Sequence, residues 1–319
     1  MRGPQLLEGR RRFPLFVVLC AVVFAALYAV VVFLYAQGGR SDEGALADAS
    51  APGLHAVLTP RDVDAAADRI RFDLAFAPGH DLISDDGMTV LTGMDVMLTS
   101  AAGRQSLHYE AGATAAPQAV ELRTSGTIEQ WPFDAHPSAT MILVSAADGD
   151  GKRAVPADLG LAAHHVPGWS ISIREDPSAA SMTVEGGIVV KQYVIEAKRA
   201  TATVAFGLVL LGLMVVMPIL GLTAAVLALR GRRRIEIGFF TWNAGMLFAT
   251  PTLRNFLPGQ PPIGSWVDYL VVLWVIAGLI LALLISVVAW YRWGRPQREI
   301  PGAGERADDA AATEGHRPG

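Results

Sequence analysis

Hydrophobic positions follow two different patterns along the chain. Four apolar stretches, at residues 13–36, 200–229, 235–250 and 266–290, predict membrane-spanning helices, because roughly 20 apolar residues cross ~30 Å of hydrocarbon. Between the first two stretches, short runs alternate polar and apolar residues with the period of a half-buried strand. The sequence therefore predicts an integral membrane α-helical protein that also carries an all-β domain.

The alternating runs lie between residues 54 and 199. The predicted strands are 69–76, 94–99, 119–129, 140–146, 169–174 and 182–197. Turn-forming clusters such as Asp81–Gly87 and Asp148–Gly151 separate them, while Pro60–Asp68 predicts one short helix. Strands at this spacing are typical of an antiparallel β-sandwich.

Arginine residues orient the predicted spans. Three clusters lie at alternate span ends, Arg10–Arg12, Arg230–Arg234 and Arg292–Arg298, whereas the loop between the third and fourth spans holds only Arg254. Short loops rich in Lys and Arg stay in the cytoplasm. We therefore expect a multi-pass plasma-membrane protein with both termini cytoplasmic and an extracytoplasmic β domain.

This orientation predicts nine segments. In chain order they are a cytoplasmic tail 1–12, a transmembrane helix 13–36, a linker 37–53, the β-sandwich domain 54–199, transmembrane helices 200–229 and 235–250, an outer Pro/Gly-rich loop 251–265, a transmembrane helix 266–290 and a disordered cytoplasmic tail 291–319. The first span also has features of a cleaved signal peptide. Its 24 residues without a charge exceed the usual apolar core of about 7–15 residues, which favours an uncleaved anchor.

The outer segment, residues 37–199, is acidic, with 12 Lys and Arg against 22 Asp and Glu. It contains no basic segment interleaved with aromatic residues, so nucleic acid is not an expected partner. Cys20, the sole cysteine, lies in the first predicted span. The outer domain is therefore expected to fold on its own hydrophobic core without a disulfide.

The sequence contains no recognisable enzyme motif. Walker, GxSxG, HExxH and CxxC patterns are absent. His164 and His165 are adjacent, so on an extended chain they point to opposite faces and rarely share a metal ion. We expect no enzymatic activity, no catalytic residues, no cofactor and no metal site.

The sharpest motif of the outer domain is Trp131-Pro132-Phe133-Asp134. Pro132 fixes its own φ and biases Trp131 towards an extended conformation, so the aromatic pair suits a tight corner. One interpretation is a structural turn between strands. The other is a coupling corner, through which the outer domain touches the loop at 251–268.

The third predicted span carries small and polar residues. Gly238, Thr241 and Gly245 recur at spacings of three and four, and Asn243 lies on another part of the helix. Small residues allow close helix packing and polar residues hydrogen-bond across helices, whereas polar groups in a bilayer also mark transport pathways. A packing stripe and a pathway lining are both open interpretations.

The loop that follows this span is dense in Pro and Gly, and prolines reduce the entropy lost when a loop is ordered. Arg254 and Asp268 flank the loop. We expect them to pair at the outer membrane interface, with the Arg254 stem along apolar surface.

The membrane segments resemble a known family. The residues that carry the resemblance are Trp242–Phe248, Leu253–Asn255, Pro261–Gly264, Asp268, Tyr269 and Trp274. They are similar to the bacterial membrane family called domain of unknown function 4436, which shares the layout of one span, an outer domain and three further spans. The resemblance is most specific in residues 236–275 and implies no assigned activity.

A second resemblance is to pentameric ligand-gated ion channels. Their β-sandwich carries a Phe-Pro-Phe-Asp-like loop before a Pro-containing helix, as Trp131–Asp134 precedes the span that holds Pro218. The additional first span, the missing fourth channel helix and the absent cysteine pair depart from that plan. We expect interaction or sensing through the outer domain, with the bilayer and an unknown outer protein or small ligand as partners. The alternative is a channel or transporter formed when the C-terminal helices assemble as a homo-oligomer.

Overall fold

The computed structural model describes seven residues between 22 and 33, all helical, and the ranges 53–102, 106–149, 151–177, 182–183, 188–232 and 236–293. Most of the first predicted span, the tail at 1–12, nearly all of the linker and the tail beyond residue 293 lie outside the described residues, as does Cys20. The chain divides into two compact units. One contains residues up to 214 together with 251–274, and the other contains 215–250 and the residues from 275 on.

The first unit is built mainly from strands. In chain order those of the described ranges are β1 Leu54–Asp64, β2 Arg69–Phe76, β3 Met94–Leu98, β4 Ser106–Tyr109, β5 Gln118–Arg123, β6 Ala135–Asp148, β7 Gly151–Val155, β8 Ala157–Leu161, β9 Trp169–Glu175, β10 Met182–Thr183, β11 Val189–Val190 and β12 Gln192–Arg199. One turn of 3-10 helix, Ile128–Gln130, lies between β5 and β6.

The strands form two large sheets and one short two-stranded sheet, β10-β11. The four-stranded sheet has the order β5-β2-β1-β8, with β1 and β8 parallel and the other neighbours antiparallel. The six-stranded sheet has the order β4-β3-β6-β12-β9, and β7 also pairs with β6. The first half of β6 pairs with β12, and its second half pairs with β3 and β7. This long strand therefore ties the two ends of the larger sheet together.

Both large sheets contribute to one hydrophobic core. Burial alternates along β1, so that Leu54, Ala56 and Leu58 point inward. Met94 of β3 and Ile195 of β12 join the same cluster from the other sheet. Fully burying one large aliphatic side chain contributes about 1.5–3 kcal/mol. The predicted all-β domain is confirmed, and its two sheets around one core have the arrangement of a sandwich.

The strand prediction matches the structure at β2 and differs from it elsewhere. β2 has the predicted bounds of 69–76. The predicted helix at Pro60–Asp68 is wrong, because β1 continues to Asp64 and a register shift between Pro60 and Asp62 accommodates the proline. The predicted strand at 119–129 ends at Arg123.

Three described helices follow the β domain. They are α1 Thr201–Leu229, α2 Ile237–Asn255 and α3 Leu273–Trp293, the last preceded by a π-helical turn at Asp268–Val272. Two segments, Thr201–Leu229 and Asp268–Arg292, are long and apolar enough to cross a membrane. α2 differs from the predicted span at 235–250 because it passes through Pro251 before ending. The four-span layout stays a prediction.

Candidate functional site

The corner motif packs against the start of α1 and against the loop at 251–268. Trp131 is 1% exposed, and its Nε1–H donates a hydrogen bond of 2.9 Å to the carbonyl oxygen of Pro258. A Cβ added at Gly207 of α1 would lie 2.6 Å from the indole Cη2. The indole is therefore enclosed between a helix and a loop that both follow it in the chain. We call the region that comprises Trp131, Asp134, Gly207 and Pro258 the junction.

The carboxylate of Asp134 forms an ion pair with Arg199, the last residue of β12. Arg199 Nε lies 3.1 Å from each carboxylate oxygen, and Nη2 lies 3.0 Å from Oδ2. His136 Nε2 lies 3.0 Å from the same Oδ2. The side chains of Asp134 and His136 are 0% exposed and that of Arg199 is 5% exposed. A buried ion pair is tolerated when further hydrogen bonds satisfy its atoms, and His136 supplies one here.

Trp169, the first residue of β9, and two glycines complete the surroundings. The guanidinium carbon of Arg199 lies 4.0 Å from the centre of the Trp169 ring, a distance suited to a cation–π contact. His136 meets the same ring edge-on, with 5.5 Å between centroids. Gly259, with φ of 74°, lies against the guanidinium, and Gly126 lies against the imidazole. At either glycine a Cβ would overlap the neighbouring side chain, so the loop reaches Arg199 because residue 259 is glycine.

The electrostatics of the junction favour an ion pair that is charged at neutral pH. Burial alone would raise the pKa of Asp134. Hydrogen bonds from His136 and Arg199, together with the positive charge of Arg199, outweigh burial, and the net effect is to lower the pKa of Asp134. The carboxylate is therefore ionised at neutral pH. Such an arrangement fixes the start of β6, the end of β12 and the loop in one geometry.

Arg254, in the last turn of α2, and Asp268, the first residue of the π-helical turn, form a bidentate ion pair across the loop that joins them. Nη2 lies 2.9 Å from Oδ2, and Nε lies 3.0 Å from Oδ1. Arg254 also donates to the carbonyl of Pro262 at 3.0 Å, and the Gly264 N–H donates to Asp268 at 2.8 Å. The structure thus brings the two predicted partners together and closes the loop around them.

In the second unit, the small and polar residues of α2 separate onto different faces. Asn243 is 1% exposed, and its amide donates a 3.5 Å hydrogen bond to the carbonyl of Leu279. Gly238, Thr241 and Gly245 are exposed, and a Cβ at either glycine would meet nothing within 4 Å in the described residues. The stripe therefore does not pack on another described helix of this unit. Its packing and pathway interpretations stay predictions.

A groove of about 460 Å³ lies on the outward face of the six-stranded sheet. Met97 and Leu143 contribute apolar surface, and the ion pair between Lys152 and Asp95 contributes charge. Lys152 Nζ lies 2.5 Å and His108 Nδ1 lies 2.7 Å from the Asp95 carboxylate. These hydrogen bonds, from Lys152 first and His108 second, lower the pKa of Asp95. Grooves of about 300–1,000 Å³ are typical of small-molecule sites.

Sequence reasoning missed Arg199, His136 and Trp169. Each lies near a strand end, and the position of Arg199 just before an apolar stretch resembles that of a basic residue at a membrane boundary. The alternation along β12 could have identified Arg199. Ile195 and Ala197 are inward positions of β12, and the period of two continues this series to Arg199. An arginine on an inward series needs a buried partner.

Comparison with known families gives two matches. Residues 45–191 match the family model described as Domain of unknown function (DUF4436), and residues 199–293 match the one described as Domain of unknown function (DUF8686). The resemblance to the first family is confirmed, although residues 236–275, where the resemblance was most specific, fall within the second match. The chain has no match among curated proteins. The resemblance to pentameric channels stays a prediction.

Proposed function

We propose that this chain, whose residues 45–191 match the DUF4436 family model, is a multi-pass membrane protein that binds or senses a partner outside and relays that state to its helices. Two helices long and apolar enough to cross a bilayer support the membrane assignment. The arginine distribution supports four spans with both termini in the cytoplasm of a plasma-membrane protein.

One observation carries the relay: the β domain is joined to α1 and to the loop by buried contacts. Trp131 touches both segments at once. Arg199, which holds Asp134, is separated from the first residue of α1 by one position. Because close-packed interiors transmit strain, a displacement of the β domain at this point is expected to move or strain α1 and the loop.

The groove on the six-stranded sheet supports a small molecule as the outer ligand. It offers an apolar floor with a charged end at Asp95 and Lys152. Such a combination suits a ligand with an apolar body and one polar end.

Hydrogen exchange of the full-length protein in lipid nanodiscs tests the relay. Asp134→Asn is expected to increase amide exchange in the loop at 251–268 and in the first turns of α1, because Arg199 loses its charged partner. Gly112→Ala is the matched control, since it strains a glycine with φ of 80° elsewhere in the domain and should leave exchange of the loop unchanged. Equal exchange of the loop in wild type and Asp134→Asn would contradict the relay.

Reporter fusions test the four-span layout separately. A reporter that is active only outside the cytoplasm should work near Gly151 or Gln260 and stay silent near Gly231 or after Glu299. Activity after Glu299 would overturn the layout. Ion flux in liposomes tests the alternative, because a channel or transporter formed by a homo-oligomer predicts flux through the purified protein.

A further inference from the structure

The loop at 251–268 has an inverted distribution of polarity. Its two charged side chains lie inside, where Arg254 is 12% exposed and Asp268 is 18% exposed. Three of its large apolar side chains point outward, with exposed fractions of 68% for Phe256, 94% for Ile263 and 60% for Trp266, whereas Leu257 and Val267 are buried. Charged residues are normally the exposed ones in water. The loop is therefore built for surroundings less polar than water.

Phe133 of the β domain belongs to the same neighbourhood. It is 71% exposed, although it lies between the buried residues Pro132 and Asp134. It follows Trp131 by two positions, and Trp131 hydrogen-bonds to Pro258, which itself follows Phe256 by two positions. The exposed phenylalanine of the domain and that of the loop therefore lie on segments that are hydrogen-bonded to each other.

We propose that Phe133, Phe256, Ile263, Trp266 and Tyr269 form a lipid-facing surface that seats the β domain on the headgroup region of the bilayer. Tyr269 is 63% exposed and lies in the segment Asp268–Arg292, which is long and apolar enough to cross a membrane. The surface is thus continuous with a candidate span, which favours lipid over a protein partner. Rings of Trp and Tyr are enriched at this depth because they have an apolar body and a polar edge.

This surface gives the corner motif a second role. The indole of Trp131 holds the loop from inside, while the ring of Phe133 contacts lipid from outside. The inference rests on the membrane assignment of the proposed function and is independent of the sensing role. Failure of the relay experiment would leave it standing, and its own failure would leave the relay standing.

Site-specific fluorescence quenching in vesicles tests the lipid-facing surface. Single cysteines are introduced at Phe133 and Phe256 in a full-length Cys20→Ala background and labelled with an environment-sensitive dye. The protein is reconstituted in phosphatidylcholine vesicles that contain a lipid with a nitroxide near the headgroup. Both labels should be quenched strongly by this lipid and weakly by iodide in the water.

Met88 provides the matched control because it is 66% exposed at the other end of the domain. It lies in the connection after β2, whose last residue, Phe76, pairs with Ala56 near the start of β1. The opposite end of β1, by contrast, shares a pocket with Arg199 and Gly259. A label at Met88→Cys should be quenched by iodide and not by the nitroxide lipid.

Two results would overturn the proposal. If the label at Phe133→Cys behaves like the one at Met88→Cys, the surface lies in water. If it is protected from both quenchers, a second copy or another protein covers it. Phe256→Cys keeps the test decisive if the domain does not tolerate a cysteine at position 133, because both positions report on the same surface.

Discussion

Two groups within the β domain use the same kinds of residue and differ in burial. Each places an aspartate between a cation and a histidine: the Asp134 group comprises Asp134, Arg199 and His136, and the Asp95 group comprises Asp95, Lys152 and His108. Side chains of the Asp134 group are at most 5% exposed, whereas Lys152 and His108 are 66% and 64% exposed. The exposed group has the shorter contacts, 2.5 and 2.7 Å to Asp95 against 3.0 Å to Asp134. We therefore expect any difference in energy between the groups to come from access to water.

Burial changes what each group can do. In the Asp95 group, water can replace either partner, so the pair adjusts at little cost. In the Asp134 group, a lost partner leaves a charge without solvation. The exposed Asp95 group therefore suits a surface groove, whereas the buried Asp134 group suits a fixed connection between segments.

The largest expected effect comes from neutralising Asp134, and neutralising Asp95 provides the comparison. Asp134→Asn leaves Arg199 buried without its counter-charge and should lower the free energy of unfolding by about 3–5 kcal/mol. Asp95→Asn should lower it by about 0.2–1 kcal/mol, since its partners are exposed. Chemical denaturation of the full-length protein in detergent measures both. Equal losses would contradict the distinction between the groups.

An intermediate effect is expected from two glycines of α1. Gly207→Ala adds a Cβ 2.6 Å from the Trp131 ring, and such overpacking costs about 1–3 kcal/mol. Gly212→Ala meets no atom within 4 Å in the described residues and should be neutral or stabilising by up to about 1 kcal/mol, because alanine favours helix over glycine. The melting temperature of Gly207→Ala should therefore fall below that of the wild type, whereas the melting temperature of Gly212→Ala should stay the same or rise. A stabilised Gly207→Ala protein would show that Trp131 does not pack on the helix.

A smaller effect is expected from acid. The pKa of Asp134 is lowered in the folded protein, so its contribution is complete above the unfolded value of about 3.9 and is lost as pH falls through the folded pKa. The melting temperature should therefore fall with acid below about pH 4, and part of this fall should disappear in Asp134→Asn. The same acid slope in wild type and variant would exclude Asp134 as a contributor.

The sequence predicted elements that depend on neighbouring residues in the chain. It missed features that depend on contacts with residues far away in the chain. Strict alternation identified β2, and the rigid Trp131-Pro132 step identified the corner. Pro60 led to a wrong helix because a register shift inside a sheet depends on the partner strand. Arg199 was missed because its burial depends on Asp134, 65 positions away, and on Gly259 in the loop.

The central claim, that the β domain and the loop act as one body at the junction, is tested most directly by a double-mutant cycle. Asp134→Asn and Gly259→Ala alter Arg199 from two separate segments, so we expect a coupling energy of about 0.5–3 kcal/mol in the free energy of unfolding. The cycle of Asp134→Asn with Gly112→Ala is the control and should be additive within about 0.3–0.5 kcal/mol. Additivity in both cycles would contradict a mechanical connection between the domain and the loop.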